Sequence, residues 1–154
     1  MSQTEPKQTS GIPPETRKSL PIALLRAREA VMAGFRPVLA RHGVTEQQWR
    51  VLRVLSEIGE PLDASNLASR ASILPPSLTR ILKVLVEREM VSVYRDRGDG
   101  RRISVKIMRS GEALINEVAP ESREIYSDLE RRYGAENVAL LLDMLDDLTT
   151  KLAR

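Results

Sequence analysis

The hydrophobic period of this chain changes once in its middle, and that change limits the folds open to it. Leu78, Ile81, Leu82, Leu85 and Val86 return at helical spacing and mark one buried stripe. After Met90 the pattern becomes alternation, and Val91-Ser92-Val93-Tyr94-Arg95 and Ile103-Ser104-Val105-Lys106-Ile107 each read as a strand. Between them, Asp96-Arg97-Gly98-Asp99-Gly100-Arg101-Arg102 sets two glycines around an aspartate, which predicts a turn. Three arginines at that turn are unusual without an anionic partner. Pro75 and Pro76 suit a helix start, where a missing N–H costs little. Ahead of them Asp63 is a natural N-cap for a short helix over 64–71 anchored by Leu67, and Ser72-Ile73-Leu74 makes the turn. Short helix, turn, helix and two-stranded hairpin, in that order over 63–111, is a winged helix-turn-helix.

The second helix of that unit leaves Ser77, Thr79, Arg80 and Lys83 facing outward near its N-terminal end. A recognition helix offers that end to base edges and phosphates in a major groove. Ser77, Thr79 and Arg80 are the base-edge candidates, with Arg80 able to read a guanine through two hydrogen bonds; Lys83 suits phosphate. Arg97 at the hairpin tip fits a minor groove, drawn by its negative potential. Arg101 and Arg102 complete the DNA-facing set: Asp99 is expected to hold Arg101 in place, and Arg102 meets phosphate or solvent. The competing reading is a solvated basic face making only intramolecular pairs.

Charge distribution supports the first reading. The net charge is only +3, yet residues 75–109 hold nine basic residues against four acids, leaving that segment at +5 and the remainder at −2. A basic segment on a slightly acidic body is the footprint of a polyanion binder. Other classes recede. With no cysteine there is no disulfide, thiolate metal site or cysteine redox sensor, and one histidine would need a carboxylate cluster to hold a metal. No catalytic constellation or phosphate-cradling glycine loop is present, so neither an enzyme nor a cofactor is expected. The lack of a membrane-length apolar run or a signal-peptide pattern predicts a cytoplasmic protein without a membrane partner.

The rest of the chain predicts helices around this unit. Residues 1–18, polar and proline-containing, are expected to be a flexible tail, and 19–154 one domain. Dimerisation helices are expected at about 19–43 and 110–154, flanking a DNA-binding part at about 45–109. Ser19 is a candidate cap for the first helix, with a kink or break at Pro37 and an end at His42-Gly43. Thr45-x-x-Gln48 is a capping box, Trp49, Val51, Leu52 and Leu55 form the buried face that follows, and Gly59 closes the helix. Ser110 opens the next helix, which Pro120 kinks or divides, and Val138, Leu141, Leu142, Leu145, Leu148 and Leu152 run along the last. Both terminal helical regions carry more apolar surface than one neighbour can cover, which favours packing together and against a second copy, a homodimer.

The run Asp99-Gly100-Arg101-Arg102-Ile103-Ser104-Val105-Lys106-Ile107-Met108-Arg109-Ser110-Gly111 resembles the MarR family signature, Asp-x-Arg at the wing and then Val-x-Leu-Thr-x-x-Gly. Ile107 and Met108 depart from it, and Ser110 is available as a cap where a threonine is usual. The stretches 19–30 and Thr45-Glu46-Gln47-Gln48-Trp49-Arg50-Val51-Leu52-Arg53 look like the HpaR branch of that family, regulators of homoprotocatechuate breakdown. The resemblance implies an intertwined homodimer, mostly α with a small β wing, that represses from a pseudo-palindromic double-stranded DNA operator. It also implies release when a small aromatic acid binds between the first two helices, the fifth helix and the partner subunit. A guanidinium matches a carboxylate because its fork binds both oxygens. Arg28 is the first candidate and Arg26, on a different face, the second, each weighed against a structural salt bridge such as one to Glu29. Trp49 is a core residue, a ligand wall or both, and Ser19, Met32 and His42 are further candidates for the same pocket. A coenzyme A thioester, or no effector at all, is the alternative.

Overall fold

The computed structural model describes residue 15, residues 18–98 and residues 100–154. The expectations for the N-terminal tail and for Asp99 therefore lie outside the described residues, apart from Glu15 and Lys18. The chain falls into two compact units, one ending at Phe35 and one running from Arg36 to Arg154.

In the first unit lies most of helix α1, Leu20–Arg41. Its start is held by Ser19, whose carbonyl accepts from the Ala23 N–H at 2.9 Å and whose Oγ accepts from the Ile22 N–H at 3.5 Å. Leu20, Ile22, Leu24, Leu25 and Val31 are all exposed.

The second unit takes in the end of α1 and all the described elements that follow it. Helix α1 runs through Pro37 without interruption, so of the expected kink or break the break does not occur. It ends as a Schellman motif: the Gly43 N–H bonds the Ala40 carbonyl at 3.0 Å and the Val44 N–H the Leu39 carbonyl at 3.1 Å. Gly43 adopts the left-handed φ of 70° this requires. Helix α2, Glu46–Ile58, carries the full capping box of Thr45 and Gln48. The two-residue strand β1, Leu62–Asp63, leads into α3, Ala64–Ala71, and then α4, Pro75–Glu87. Strands β2, Val91–Arg95, and β3, Ile103–Ile107, follow, then α5, Arg109–Tyr133, and α6, Ala135–Leu152.

The wing is a three-stranded antiparallel sheet in the order β1-β3-β2, not a two-stranded hairpin. Leu62 pairs Val105, and Val105 also pairs Val93, so β3 is the central strand and Val105 is fully buried. The core gathers Val51, Leu52 and Leu55 of α2, Leu67 of α3, Leu78, Leu82 and Leu85 of α4, and Leu114 and Val118 of α5. Val86, expected in the stripe, is 42% exposed. Helix α5 passes through Pro120 undivided. Its N-cap is Met108, with no side-chain cap bond; Ser110 Oγ instead donates to the Glu89 carbonyl at 2.7 Å. The Met108 N–H donates to the Met90 carbonyl at 2.8 Å, so the start of α5 is laced to the loop that enters β2. Helix α6 has no buried residue, and Leu140, Leu142, Met144 and Leu152 are each more than half exposed.

Candidate nucleic-acid interface and effector cleft

The presumed reading head is built from caps. Asp63 Oδ1 accepts the Asn66 N–H at 2.8 Å and fixes the start of α3. That bond, helped by the Arg102 charge, holds the Asp63 carboxyl below its ordinary range. Ser72 ends α3 in a left-handed conformation, φ 52°, and the Ile73 N–H returns to the Ala68 carbonyl at 2.9 Å. Pro75 and Pro76 then open α4, whose buried side is Leu78, Ile81, Leu82 and Leu85. The opposite side presents Thr79, Arg80 and Lys83 to solvent, with Ser77 half-buried. Thr79 Oγ1 donates to the Pro75 carbonyl at 3.2 Å, so its hydroxyl is oriented from within the helix.

At the hairpin tip the Asp96 N–H bonds the Arg102 carbonyl at 3.0 Å, and Asp96 Oδ1 accepts the Gly98 N–H at 3.2 Å. Arg95 braces the turn, its Nη1 donating to the Gly100 carbonyl at 3.1 Å. Arg97, Arg101 and Arg102 are exposed, and Arg102 is near enough to act on the carboxylate that caps α3. Arg88 belongs elsewhere: its Nη1 donates to the Gly43 carbonyl at 2.8 Å and to Gln48 at 3.3 Å, tying the end of α4 to the α1–α2 turn. A groove of about 510 Å³ runs beside this face between α4 and the sheet, lined by Leu82, Val86, Val93 and Ile103 among others. Its charged walls are Lys83 and Glu87, of opposite sign, so nothing in it favours an anion.

A second hollow, of about 270 Å³, opens between α2 and α5. Trp49, Arg53, Ser56 and Glu57 line it from α2, and Ile115, Val118, Ala119, Ser122, Arg123 and Tyr126 from α5. The Arg53 guanidinium stacks over the Trp49 ring, 5.2 Å from its centroid. Its Nε donates to Glu57 Oε1 at 2.8 Å, and Tyr126 acts on the same guanidinium from α5. The Glu57 bond leads the interactions that raise the Arg53 pKa, against the opposing effect of burial. A fixed cation between two aromatic walls is suited to a single-ring acid, the size below the roughly 300–1,000 Å³ of drug-sized sites. Sequence reasoning named Trp49 here but missed Arg53 and Tyr126. The available signal was the spacing of four residues between Trp49 and Arg53, which puts both on one helix face.

The other ligand candidates divide between the two units. Arg26 and Arg28 are exposed on α1, Met32 is half-buried, and Arg28 Nη1 donates to Glu29 Oε1 at 3.3 Å. In the second unit His42 lies 2.6 Å from Glu121 Oε2 and 3.7 Å from Glu117 Oε2, while Arg41 donates to Glu121 Oε1 at 2.7 Å. That cluster fastens the end of α1 to α5. Among the described residues no three His, Asp or Glu side chains are arranged to hold a metal ion, and no helix is long and apolar enough to cross a membrane.

Residues 42–102 match the model of the MarR family. The chain is 42% identical over 130 residues to the HTH-type transcriptional regulator FarR of Neisseria gonorrhoeae, covering 84% of this chain and 88% of that protein. It is 40% identical over 129 residues to the homoprotocatechuate degradative operon repressor of Escherichia coli, covering 84% and 86%. Among solved structures it is similar to NadR in complex with 4-hydroxyphenylacetate, at 39% identity and a TM-score of 0.75 over 96% of this chain and 97% of that one.

Proposed function

The chain belongs to the MarR family of transcriptional regulators, and from that premise we propose that it represses aromatic-compound catabolism genes and leaves its operator when a small phenolic or aromatic carboxylate binds. The observation that carries the reading is the α2–α5 cleft, where Arg53 is held over Trp49 and Tyr126 lines the opposite helix. Relatives at similar identity support it, one named for homoprotocatechuate degradation and one solved with 4-hydroxyphenylacetate.

In this reading the protein works in the cytoplasm as a homodimer on a pseudo-palindromic site. The uncovered apolar residues of α6 supply part of the surface for the second copy. Ser77, Thr79 and Arg80 read base edges, Lys83, Arg101 and Arg102 hold phosphates, and Arg97 enters a minor groove. Arg53 receives the effector carboxylate between Trp49 and Tyr126. Arg28, with Arg26, Ser19, Met32 and His42, is assigned to effector recognition on the family resemblance. Release is a population shift: the effector prefers a dimer whose recognition helices are mis-spaced for major grooves about 34 Å apart. A tenfold loss of DNA affinity needs only about 1.4 kcal/mol of coupling.

The test is a fluorescence-anisotropy titration against the intergenic DNA beside the protein's own gene, at fixed salt, with and without hydroxylated aromatic acids. Specific binding reversed by one acid supports the reading. Tight binding indifferent to every acid points to a thioester or to no effector, and absence of specific binding overturns the proposal.

A further inference from the structure

The cleft already contains a carboxylate of its own. Glu57 lies one helical turn beyond Arg53 on α2, and its Oε1 takes the Arg53 Nε hydrogen at 2.8 Å. Tyr126 lines the same cleft and Trp49 covers the guanidinium's face. An incoming acid that is to use the fork through Nε and the neighbouring Nη must therefore meet Glu57 first, because one N–H cannot serve two carboxylates at full strength.

We propose that Glu57 is an internal stand-in for the effector's carboxylate, occupying Arg53 in the empty protein and setting both affinity and selectivity for acids. The inference rests on the effector reading of this cleft. Two properties suit Glu57 to the part. Its side chain is 61% exposed, so on displacement it turns into water rather than becoming a buried, unpaired charge. Its pair with Arg53 is between neighbours four apart on one helix and half open to solvent, a geometry that holds weakly and exchanges readily. The stand-in also keeps the empty cleft from carrying two uncompensated guanidinium groups, since Arg123 lines it as well. Neutral aromatic compounds gain nothing by displacing Glu57, whereas an acid replaces one ion pair with a more enclosed one. The cleft is thereby biased toward acids over their amides and alcohols.

The experiment is calorimetric titration of 4-hydroxyphenylacetate and, in parallel, of its uncharged amide into the full-length protein and into Glu57→Gln and Glu57→Asp. Glu57→Gln should bind the acid about 2- to 5-fold more tightly, the range that an exposed ion pair of this kind supports, and leave the amide unchanged. Glu57→Asp keeps the charge but withdraws the carboxylate by one methylene, so it should move in the same direction as Glu57→Gln. If Glu57→Asp behaves as the unaltered protein while Glu57→Gln tightens, only net charge matters and direct occupancy of Arg53 is overturned. Equal affinities in all three proteins overturn the stand-in role while leaving the effector reading intact. If neither the unaltered protein nor Glu57→Gln takes up the acid, the effector reading fails and this inference with it; uptake by Glu57→Gln alone supports a stand-in that masks the site.

Discussion

Arg50 of α2 donates through Nη1 to the main-chain carbonyl of Ser72, at 3.3 Å, across the turn that separates α3 from α4. Ser72 is the left-handed residue that ends α3, so the bond fixes the direction in which Pro75 starts the recognition helix. Arg50 directly follows Trp49, a wall of the proposed effector cleft. Any displacement of α2 by a ligand therefore reaches the turn in front of α4 through one side chain. Arg50→Met keeps the apolar stem and removes the donor. It should weaken specific operator binding about fivefold, the equivalent of one net hydrogen bond of about 1 kcal/mol, and leave effector affinity in DNA-free protein unchanged. Anisotropy and calorimetry on the same preparation check both halves; a parallel loss of effector affinity would show that Arg50 shapes the cleft instead.

The DNA-facing residues separate by salt dependence. Arg80→Ala should lower affinity for the operator while leaving non-specific duplex nearly untouched, a loss of about 1–3 kcal/mol in discrimination if Arg80 reads a base. Lys83→Ala should weaken both and reduce the log–log salt slope by about 1. Titrations at several salt concentrations distinguish them, and an Arg80→Ala variant that loses both classes of DNA alike is a phosphate contact.

How much of this was legible in the sequence depended on how local the physics was. Thr45, Asp63 and Gly43 act within three or four residues, and each cap was readable from the residues beside it. The strand β1 was not, because a two-residue strand has no period and exists only through its pairing of Leu62 with the distant Val105. Pro37 and Pro120 were each read as a kink or a break, and neither breaks its helix: both are exposed, so the carbonyl each leaves without an N–H partner can turn to water. Buried neighbours, Val38 and Leu39 in one case and Val118 in the other, anchor the chain beside each proline. Val86 falls out of the stripe because the groove beside the sheet opens at its position. The Arg53–Tyr126 pair joins α2 to α5 and leaves no local signal. Arg88 looked like part of the basic face because charge is visible in a sequence and the Gly43 carbonyl it bonds is not.

Gly111 is a packing glycine, not a turn glycine. A Cβ there would lie 2.5 Å from the Met90 carbonyl oxygen and 2.9 Å from Ile107 Cγ1. The backbone oxygen cannot swing aside, since it accepts the Met108 N–H that starts α5. Gly111→Ala should destabilise the protein by about 1–3 kcal/mol as an overpacking change, seen as a lower urea midpoint with little change in slope.

Two guanidinium groups are proposed for the effector's carboxylate, and operator release ranks them. Arg53→Met should raise the concentration of acid needed for half release by about tenfold or more, as expected for losing a charge-assisted bond of about 1.5–3 kcal/mol. Arg28→Ala, if Arg28 contributes, should raise it as well without altering operator affinity in the absence of acid. A variant whose only change is a lower melting temperature marks Arg28 as a structural partner of Glu29, with which it already pairs.

Acid should loosen the joint between α1 and α5. The bond from Arg41, followed by that from His42, holds the Glu121 carboxyl below its ordinary range. A carboxyl whose folded pKa is depressed contributes stability that is fully present above its unfolded pKa, about 4.3 for Glu, and lost as the pH falls through the folded value. Glu117, the second carboxylate facing His42, stands farther off at 3.7 Å. Glu121→Gln should therefore melt lower than the unaltered protein at neutral pH, and the two melting curves should converge as the solution is acidified below about pH 4. Asp63, depressed chiefly by its bond from the Asn66 N–H, adds a loss of the same sign at α3 in both proteins and so cancels in the comparison. Melting temperatures that stay equally far apart from neutral to acid pH would assign the effect of the substitution to packing rather than to the Arg41–Glu121–His42 charges.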